Sequence, residues 1–214
     1  MRPIASAVRP PRLRRRWALA ALAVPAATLL GGCERLSASI GLQGFKGMDV
    51  TGAPYGGGFA LTDHDGRPRS LADFRGEVVL LYFGFVQCPD VCPTALARAV
   101  AVKQALGRDG ERFRVLFVTV DPERDTPEVL RAYMAAFDPG FVALTGSAAE
   151  IRSTADAFRA FYRKVPTGSG YTMDHSALSY LFDARGRLRV ALRHQQGVDD
   201  YVSDVRALLR DDRG

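Results

Sequence analysis

The sequence is poor in the side chains that usually carry redox or metal chemistry. Its 214 residues include three cysteines, three histidines and one tryptophan. Three cysteines are too few for the disulfide framework of a small secreted domain or for a closed four-cysteine zinc site. The apolar run from Trp17 to Leu30 has 14 residues, which is short of the roughly 20 that a membrane-spanning helix needs. Redox or metal chemistry in this chain must therefore use a few side chains that the fold brings together.

Net charge is also missing outside the N-terminus. The formal charge is +6, but residues 1–32 contain six arginines and no acidic residue. Without those arginines, 23 basic residues stand against 23 acidic ones. The excess positive charge therefore belongs to the N-terminal segment, and the remainder has no basic surface of the kind that binds nucleic acid. We predict no nucleic-acid partner.

The N-terminal segment has the order of a bacterial export signal. Arginines precede the apolar run, and LGGC at residues 30–33 resembles the lipobox, where a signal peptidase cuts before a lipid-modified cysteine. We predict an export signal over residues 1–32, lipidation at Cys33, and a membrane tether with an irregular extension over residues 33–58. The alternative is an uncleaved anchor with a free Cys33. Both interpretations put residues 59–214 on the extracytoplasmic, periplasmic side of a membrane, where disulfides persist.

The other two cysteines follow a strand-like segment. The β-forming run Val78–Phe85 leads into Cys88 and Cys92, and a helical pattern comes next. A strand that ends in thiols at the start of a helix is typical of the active edge of a thioredoxin-type fold. Redox thioredoxins place two residues between their cysteines, whereas three stand here. Residues four apart share one face of a helix, so the pair can close a disulfide or direct two thiolates at one soft metal ion.

The rest of the pattern predicts an α/β, thioredoxin-like fold with an N-terminal extension and an inserted helix. The β segments that we expect are a hairpin over 59–71 and strands over about 77–85, 113–120, 176–183 and 187–193. Helices are expected after Cys92, after Thr126-Pro127, after Ser147 and at the C-terminus. Residues 163–173 are expected to be irregular.

Two thiolates leave a metal site incomplete, and histidine is the natural third donor. His64 falls in a predicted turn and His194 follows the last predicted strand, where solvated side chains are the ordinary expectation. His175 lies at the predicted start of the penultimate strand, which faces the cysteines in thioredoxin-like folds and carries a cis-proline in their redox members; this chain has no proline there. A purely structural role is the competing interpretation of His175. Two cysteines and a histidine suit Cu(I), with Cu(II) as a second candidate, and a zinc site that adds Asp174 is the other alternative.

Three motifs resemble those of a known family. They are CPDVCPT at residues 88–94, VDPERDTP at residues 120–127 and DHSA at residues 174–177. Together they are similar to the motifs of the Sco/SenC family, which are thioredoxin-fold copper chaperones for cytochrome c oxidase assembly, and the similarity extends over roughly residues 47–210.

The resemblance implies that Cys88, Cys92 and His175 bind copper. It also implies that the ion is transferred to the binuclear copper centre of cytochrome c oxidase subunit II, with a copper donor and a thiol reductant as further partners that the sequence does not name. Gln87 stands where many relatives carry histidine, a position outside the three ligands.

Three aspartates of these motifs are weaker candidates. Asp174 adjoins His175 and could orient its ring. Asp90 and Asp121 could dock a partner or form caps and turns. Arg124 and Asp125, by contrast, are expected to be turn and surface residues.

The rival function is a membrane-tethered thiol–disulfide reductase that keeps the copper-ligand cysteines of the oxidase reduced. Cys88 and Cys92 would then be a redox-active pair, and enzyme activity is expected only in this alternative. The longer cysteine spacing, the missing proline and the position of His175 disfavour it as the sole function.

Overall fold

A computed structural model describes residues 44–212. The predicted export signal over residues 1–32, the predicted lipidation site Cys33 and the first part of the predicted tether lie outside the described residues. Within residues 44–212, no helix is both long enough and apolar enough to cross a membrane.

The described residues form ten strands and four α-helices. The strands are β1 (Met48–Asp49), β2 (Ala60–Asp63), β3 (Pro68–Ser70), β4 (Val78–Gly84), β5 (Phe113–Thr119), β6 (Val142–Thr145), β7 (Tyr162–Thr167), β8 (Gly170–His175), β9 (Ser179–Phe182) and β10 (Leu188–Leu192). The helices are α1 (Val91–Leu106), α2 (Pro127–Ala135), α3 (Ala148–Ala157) and α4 (Val198–Asp211). Short 3-10 segments cover Leu71–Phe74 and Gly107–Arg112.

Eight of these strands form one mixed sheet in the order β1-β10-β9-β4-β5-β6-β2-β3. Strands β4, β5 and β6 run parallel, whereas β9 is antiparallel to β4. Every residue of β4 is buried, because its continuous apolar sequence suits a strand that is covered on both faces. The predicted central strands and the α/β class are confirmed.

The predicted helix starts are confirmed where the sequence has capping residues. Ser147 and Glu150 form a capping box at the start of α3. The Thr126 side chain accepts a hydrogen bond from the backbone N–H of Val129, and Pro127 fills the first position of α2. These contacts satisfy N–H groups that have no partner within the helix.

The described part of the N-terminal extension is attached to the C-terminal elements. Strand β1 pairs with β10, and the buried carboxylate of Asp204 on α4 accepts hydrogen bonds from the backbone N–H groups of Lys46 and Gly47, at 2.7 and 2.8 Å. The segment before β2 is therefore part of the folded structure from residue 44 onward.

Two hairpins of the sheet close with the same turn chemistry. Asp63 at the end of β2 and Asp183 just after β9 each accept hydrogen bonds from the backbone N–H groups two and four residues later, at 2.9 to 3.0 Å. Each carboxylate also binds arginine side chains that follow it. Gly66 and Gly186 occupy the same place in the two turns, with φ of 81° and 76°, a conformation that favours glycine.

Residues 163–173 are not irregular, and this expectation was wrong. Strands β7 and β8 pair antiparallel from Tyr162 opposite His175 to Thr167 opposite Gly170, as a two-stranded sheet outside the main one. Most of their side chains are exposed or half-buried, so the segment lacks the apolar alternation by which strands are predicted. His175 is consequently the last residue of β8, and the penultimate strand, β9, begins at Ser179.

Candidate metal centre

The two cysteines lie where the central strand passes into the first helix. Cys88 is in the turn between β4 and α1, and its backbone N–H donates to the carbonyl of Phe85 at 3.2 Å. Cys92 is in the first turn of α1. Both are free thiols; the Cys92 side chain is fully buried, whereas Cys88 keeps 8% of its surface exposed. Cys88 is therefore the more exposed of the two cysteines.

The β7–β8 hairpin brings His175 to this pair. The Nε2 atom of His175 lies 3.4 Å from the sulfur of Cys92. One donor atom from each of Cys88, Cys92 and His175 lies within 4.8 Å of the others, and residues 44–212 contain no second group of three such donors as tight as this one. The structure thus brings together the three side chains that the sequence analysis singled out.

The other two histidines are not part of this group. The Nδ1 atom of His64 accepts a hydrogen bond from the backbone N–H of Ala143 at 3.0 Å. His194 is half-buried and its Nδ1 has no hydrogen-bond partner among the described residues. Neither residue contributes a donor atom to the cluster.

The imidazole of His175 is oriented by a backbone carbonyl. Its Nδ1 lies 3.0 Å from the carbonyl oxygen of Ser176. Because a carbonyl can only accept, Nδ1 is the donor of this contact, and Nε2 is the ring nitrogen that faces Cys92. The carboxylate of Asp174 turns away to pair with the guanidinium of Arg163 at 2.8 Å, with half of its side-chain surface exposed. The hydrogen bonds of the Asp174 carboxylate therefore join it to Arg163 rather than to the ring, and an orienting role for Asp174 stays a prediction.

Aromatic rings enclose the imidazole. The ring of Phe85 meets it edge-on at a centroid distance of 5.7 Å, and that of Tyr82 at 6.1 Å. Both aromatic residues are buried, and the Tyr82 hydroxyl has no hydrogen-bond partner among the described residues. These two rings keep water away from the donor atoms on the side that faces the protein interior.

The two thiols titrate as a coupled pair. A hydrogen bond from the Cys92 thiol lowers the pKa of Cys88 well below its usual range, despite the opposing effect of burial. The backbone N–H groups of Asp90 and Cys92 and the side chain of His175 lower the pKa of Cys88 further. The same bond to Cys88, together with burial, raises the pKa of Cys92. The reduced pair therefore holds one proton on Cys92 and presents a thiolate at Cys88.

The two aspartates of the second motif are buried, unlike the expectation for one of them. Asp125 was expected at the surface but is 1% exposed. It accepts hydrogen bonds from the Thr119 hydroxyl at 2.6 Å and from the backbone N–H of Val86, in the turn before Cys88, at 3.1 Å. Burial raises the pKa of Asp125. The expectation failed because an aspartate in a loop was assumed to be solvated, and local sequence does not report its contact with Val86.

Asp121 and Arg124 form the other part of this network. Asp121 is 2% exposed and accepts hydrogen bonds from the Tyr171 hydroxyl, at 2.9 Å, and from Nε of Arg124. Arg124 was expected to be a surface residue, but its side chain is only 22% exposed. Sequence analysis did not identify Arg124 or Tyr171 as part of the site.

Asp90 occupies the N-cap position of α1 and is exposed. Its carboxylate lies 3.4 Å from the Thr94 hydroxyl, and it contributes no donor atom to the cluster. A docking role for Asp90 stays a prediction.

The donor set fits a soft cation. Two sulfurs and one imidazole nitrogen suit Cu(I), which favours thiolates and accepts three ligands. A zinc site would require a fourth protein ligand, and Asp174, the residue considered for that role, is paired with Arg163 instead. The geometry therefore favours copper over zinc.

Comparisons with known proteins agree with this geometry. The sequence pattern described as SCO1/SenC matches residues 48–210. A SCO2-like protein of Rickettsia prowazekii is 41% identical over 135 residues, which make up 62% of this chain and 66% of that protein. The chain thus spans slightly less than two thirds of the length of this curated relative.

Solved structures show the same fold. The structure of Bradyrhizobium japonicum ScoI with copper bound is 38% identical, with a TM-score of 0.67 over 72% of this chain and 99% of that chain. BsSco, described as a member of the Sco family of cytochrome c oxidase assembly proteins with a disulfide switch, is 28% identical, with a TM-score of 0.60 over 74% of this chain and 97% of that one. These likenesses confirm the predicted thioredoxin-like fold. With its sequence match over three quarters of its length, this chain belongs to the SCO1/SenC family.

Proposed function

We propose that this protein is a metallochaperone that binds copper through Cys88, Cys92 and His175 and delivers it to the binuclear copper centre of cytochrome c oxidase subunit II. The observation that carries the proposal is the convergence of two sulfurs and one imidazole nitrogen within 4.8 Å. The copper-bound relative from Bradyrhizobium japonicum and the oxidase-assembly role of the family support the choice of ion and of pathway.

The three ligands have different tasks in this account. The Cys88 thiolate is the donor that an incoming ion or a partner's ligand meets first, because Cys88 is the more exposed of the two residues. Cys92 is buried beneath it and loses its proton when it binds the ion. His175 supplies the third donor through Nε2, with its Nδ1–H held by the Ser176 carbonyl. A delivered ion must also leave the site, and it leaves past Cys88, the more exposed ligand.

The chaperone works from the extracytoplasmic side of a membrane, held by a lipid on Cys33. Support comes from LGGC at residues 30–33 after an apolar run that is short for a membrane span. Cys33→Ser is expected to block processing. Intact-mass analysis of membrane-extracted protein tests this, and a mass that still includes residues 1–32 would contradict lipidation.

Thiol–disulfide reduction is the second candidate function, and the Cys88 thiolate favours it. The thiolate would attack a disulfide of the oxidase subunit to form a mixed disulfide and release one partner thiolate. Cys92 would then displace the second partner thiol, leaving the partner reduced and the Cys88–Cys92 pair oxidised. An external thiol reductant must restore the pair after each cycle.

His175→Ala separates the two functions. Thiol exchange needs only the cysteines, so a pure reductase predicts nearly normal oxidase activity in cells that carry this variant. A copper chaperone predicts reduced oxidase activity that added copper partly restores. Normal oxidase activity together with unchanged copper affinity in His175→Ala would reverse our choice between the two functions.

Copper affinities of purified variants measure how much each of the three ligands contributes to binding. Cys88→Ser or Cys92→Ser replaces a soft thiolate by a largely protonated hydroxyl and is expected nearly to abolish Cu(I) binding. His175→Ala leaves both thiolates, so its Cu(I) affinity falls less, while Cu(II) affinity falls more because Cu(II) also prefers nitrogen. Competition with a chelator resolves these differences in affinity, since a tenfold change in affinity corresponds to about 1.4 kcal/mol of binding free energy.

A further inference from the structure

The hairpin that carries His175 is not built into the main sheet. Strands β7 and β8 pair only with each other among the described strands. The backbone ladder therefore does not fix the distance between His175 and the cysteines, which lie at the end of β4. Besides the short link from His175 to β9, side-chain contacts between the hairpin and the cysteine turn set that distance.

Arg124 contacts both the β7–β8 hairpin and the turn that precedes Cys88. Its Nη1 donates to the backbone carbonyl of Tyr171 in β8 at 2.8 Å, and also to Oε1 of Gln87, the residue before Cys88, at 3.1 Å. Its guanidinium carbon lies 3.7 Å from the centroid of the Tyr171 ring and 5.9 Å from that of Phe85. The Phe85 ring in turn packs against the imidazole of His175.

Buried Asp121 anchors Arg124. It binds Nε of Arg124 with one carboxylate oxygen and accepts the Tyr171 hydroxyl with the other, at 2.9 Å. The backbone N–H of Asp121 donates to the Thr119 hydroxyl at 3.0 Å, and that hydroxyl donates to Asp125. Because Thr119 ends the core strand β5, the guanidinium is held from the rigid centre of the fold.

Two further contacts of the hairpin lie away from the cysteine turn. Lys164 pairs with Glu123 at 2.7 Å, but both side chains are largely exposed. The guanidinium of Arg152 on α3 lies over the ring of Tyr162, 3.8 Å from its centroid. Exposed pairs of this kind contribute little to fixing a position.

We infer that Arg124 is a positioning residue for the metal centre. It ties β8 to the turn before Cys88 and so holds Nε2 of His175 within coordinating reach of the two sulfurs. This inference rests on the proposed function, because it concerns how the third copper donor is held. Loss of Arg124 should act through His175 and should leave the two cysteines in place.

The test uses the full-length protein in detergent, aqueous Cu(II) as the probe and a double-mutant cycle. Cu(II) is chosen because it depends on the nitrogen donor. Arg124→Gln is expected to lower Cu(II) affinity about tenfold, the scale seen when groups that orient metal ligands are removed. In the His175→Ala background the same change should alter affinity by less than about twofold, because the donor that it positions is absent. Arg163→Gln, on the same hairpin but in an exposed pair with Asp174, is the control and should also stay within about twofold.

Hydrogen exchange of the metal-free protein supplies a reading that does not need copper. Arg124→Gln should speed amide exchange in residues 162–175 and leave β4 and β5 protected. If the wild-type protein binds no copper, the proposed function fails, while the exchange rates still decide the role of Arg124. Unchanged exchange in the hairpin, unchanged Cu(II) affinity, or an equal loss of affinity in the His175→Ala background would each overturn the inference.

Arg124→Lys covers the case in which Arg124→Gln does not fold, since it keeps a positive charge beside Asp121. Lysine lacks the planar fork that both stacks on Tyr171 and donates to two partners. Arg124→Lys is therefore expected to show the same changes to a smaller degree, and wild-type exchange and affinity in this variant would contradict the inference.

Discussion

A Cβ atom on Gly84 would lie 2.8 Å from the sulfur of Cys92 and 2.7 Å from the ring of Phe117. Real Cβ atoms do not approach other heavy atoms that closely, so the last residue of β4 must be glycine for Cys92 to occupy its place. The position of the buried sulfur is therefore set by the backbone of the central strand.

We predict that Gly84→Ala displaces Cys92 and weakens copper binding. Overpacking of a filled core costs about 1–3 kcal/mol, and the displaced sulfur should lower Cu(I) affinity about tenfold, as other losses of ligand orientation do. Chelator competition and thermal unfolding measure the two effects. Gly57→Ala is the matched control, because nothing lies within 4 Å of its added Cβ. Wild-type affinity in Gly84→Ala would show that the sulfur adapts at no cost.

Reactivity of the reduced, metal-free protein should separate the two cysteines. Because the pKa of Cys88 is lowered by the Cys92 thiol, Cys88 should be alkylated by iodoacetamide with a midpoint well below the pH of about 8.5 that is ordinary for a thiol. The rate should rise as the pH rises through the pKa of Cys88, since only the thiolate reacts. Buried Cys92, whose pKa is raised, should react slowly throughout. Mass spectrometry of each peptide at several pH values gives the two profiles.

Cys92→Ala provides the check on the cause. It removes the donor of the hydrogen bond, so the midpoint for Cys88 should move upward toward the ordinary value. A midpoint for Cys88 at or above about 8.5 in the wild type would contradict the coupled pair.

The carboxylate turns are predicted to stabilise the fold in a pH-dependent way. Burial alone would raise the pKa of Asp183, but hydrogen bonds from the backbone and side chain of Arg187 and from Arg189 outweigh it and lower that pKa. A lowered folded-state pKa means stability that is present above the unfolded pKa of about 3.9 and is lost as the pH falls through the folded value. Asp183→Asn should therefore lower the free energy of unfolding by about 2 kcal/mol at neutral pH, the scale for a hydrogen-bonded charge.

The pH dependence of this loss in the free energy of unfolding separates the effect of the carboxylate charge from that of the side-chain shape. Denaturant unfolding at a series of pH values should show the gap between Asp183→Asn and wild type shrinking below about pH 4. Asp63→Asn, in the matching turn with the same direction of pKa shift, should behave alike. If the difference in the free energy of unfolding between variant and wild type is constant across pH, the ionised carboxylate is not the source of the stabilisation.

Apolar patterning predicted the centre of this fold well. The run before Cys88 is buried along all of β4, because an uninterrupted series of apolar residues suits a strand covered on both faces. The capping residues Ser147 and Thr126 marked helix starts, since a helix start imposes a local chemical requirement that side chains must meet. The motifs predicted which three side chains would meet, and the structure brings these together.

The β7–β8 hairpin and the polar network were missed for a different reason. The hairpin buries little, so its strands carry Arg163, Lys164 and Pro166 rather than alternating apolar residues. The glycines at 168 and 170 were a turn signal that a hairpin search would have used. Burial of Asp125 depends on partners far along the chain, such as Val86, and local sequence does not report such contacts.

The central claim is that the two sulfurs and the imidazole nitrogen form one copper site, and its most direct test is Cu(I) binding to the reduced and to the disulfide-oxidised protein. The reduced protein should bind one Cu(I) per chain, and the bound ion should protect Cys88 and Cys92 from alkylation. The oxidised protein, which offers no thiolate, should lose high-affinity binding. Undiminished Cu(I) affinity in the oxidised protein would contradict the account, because the ion would then be held elsewhere.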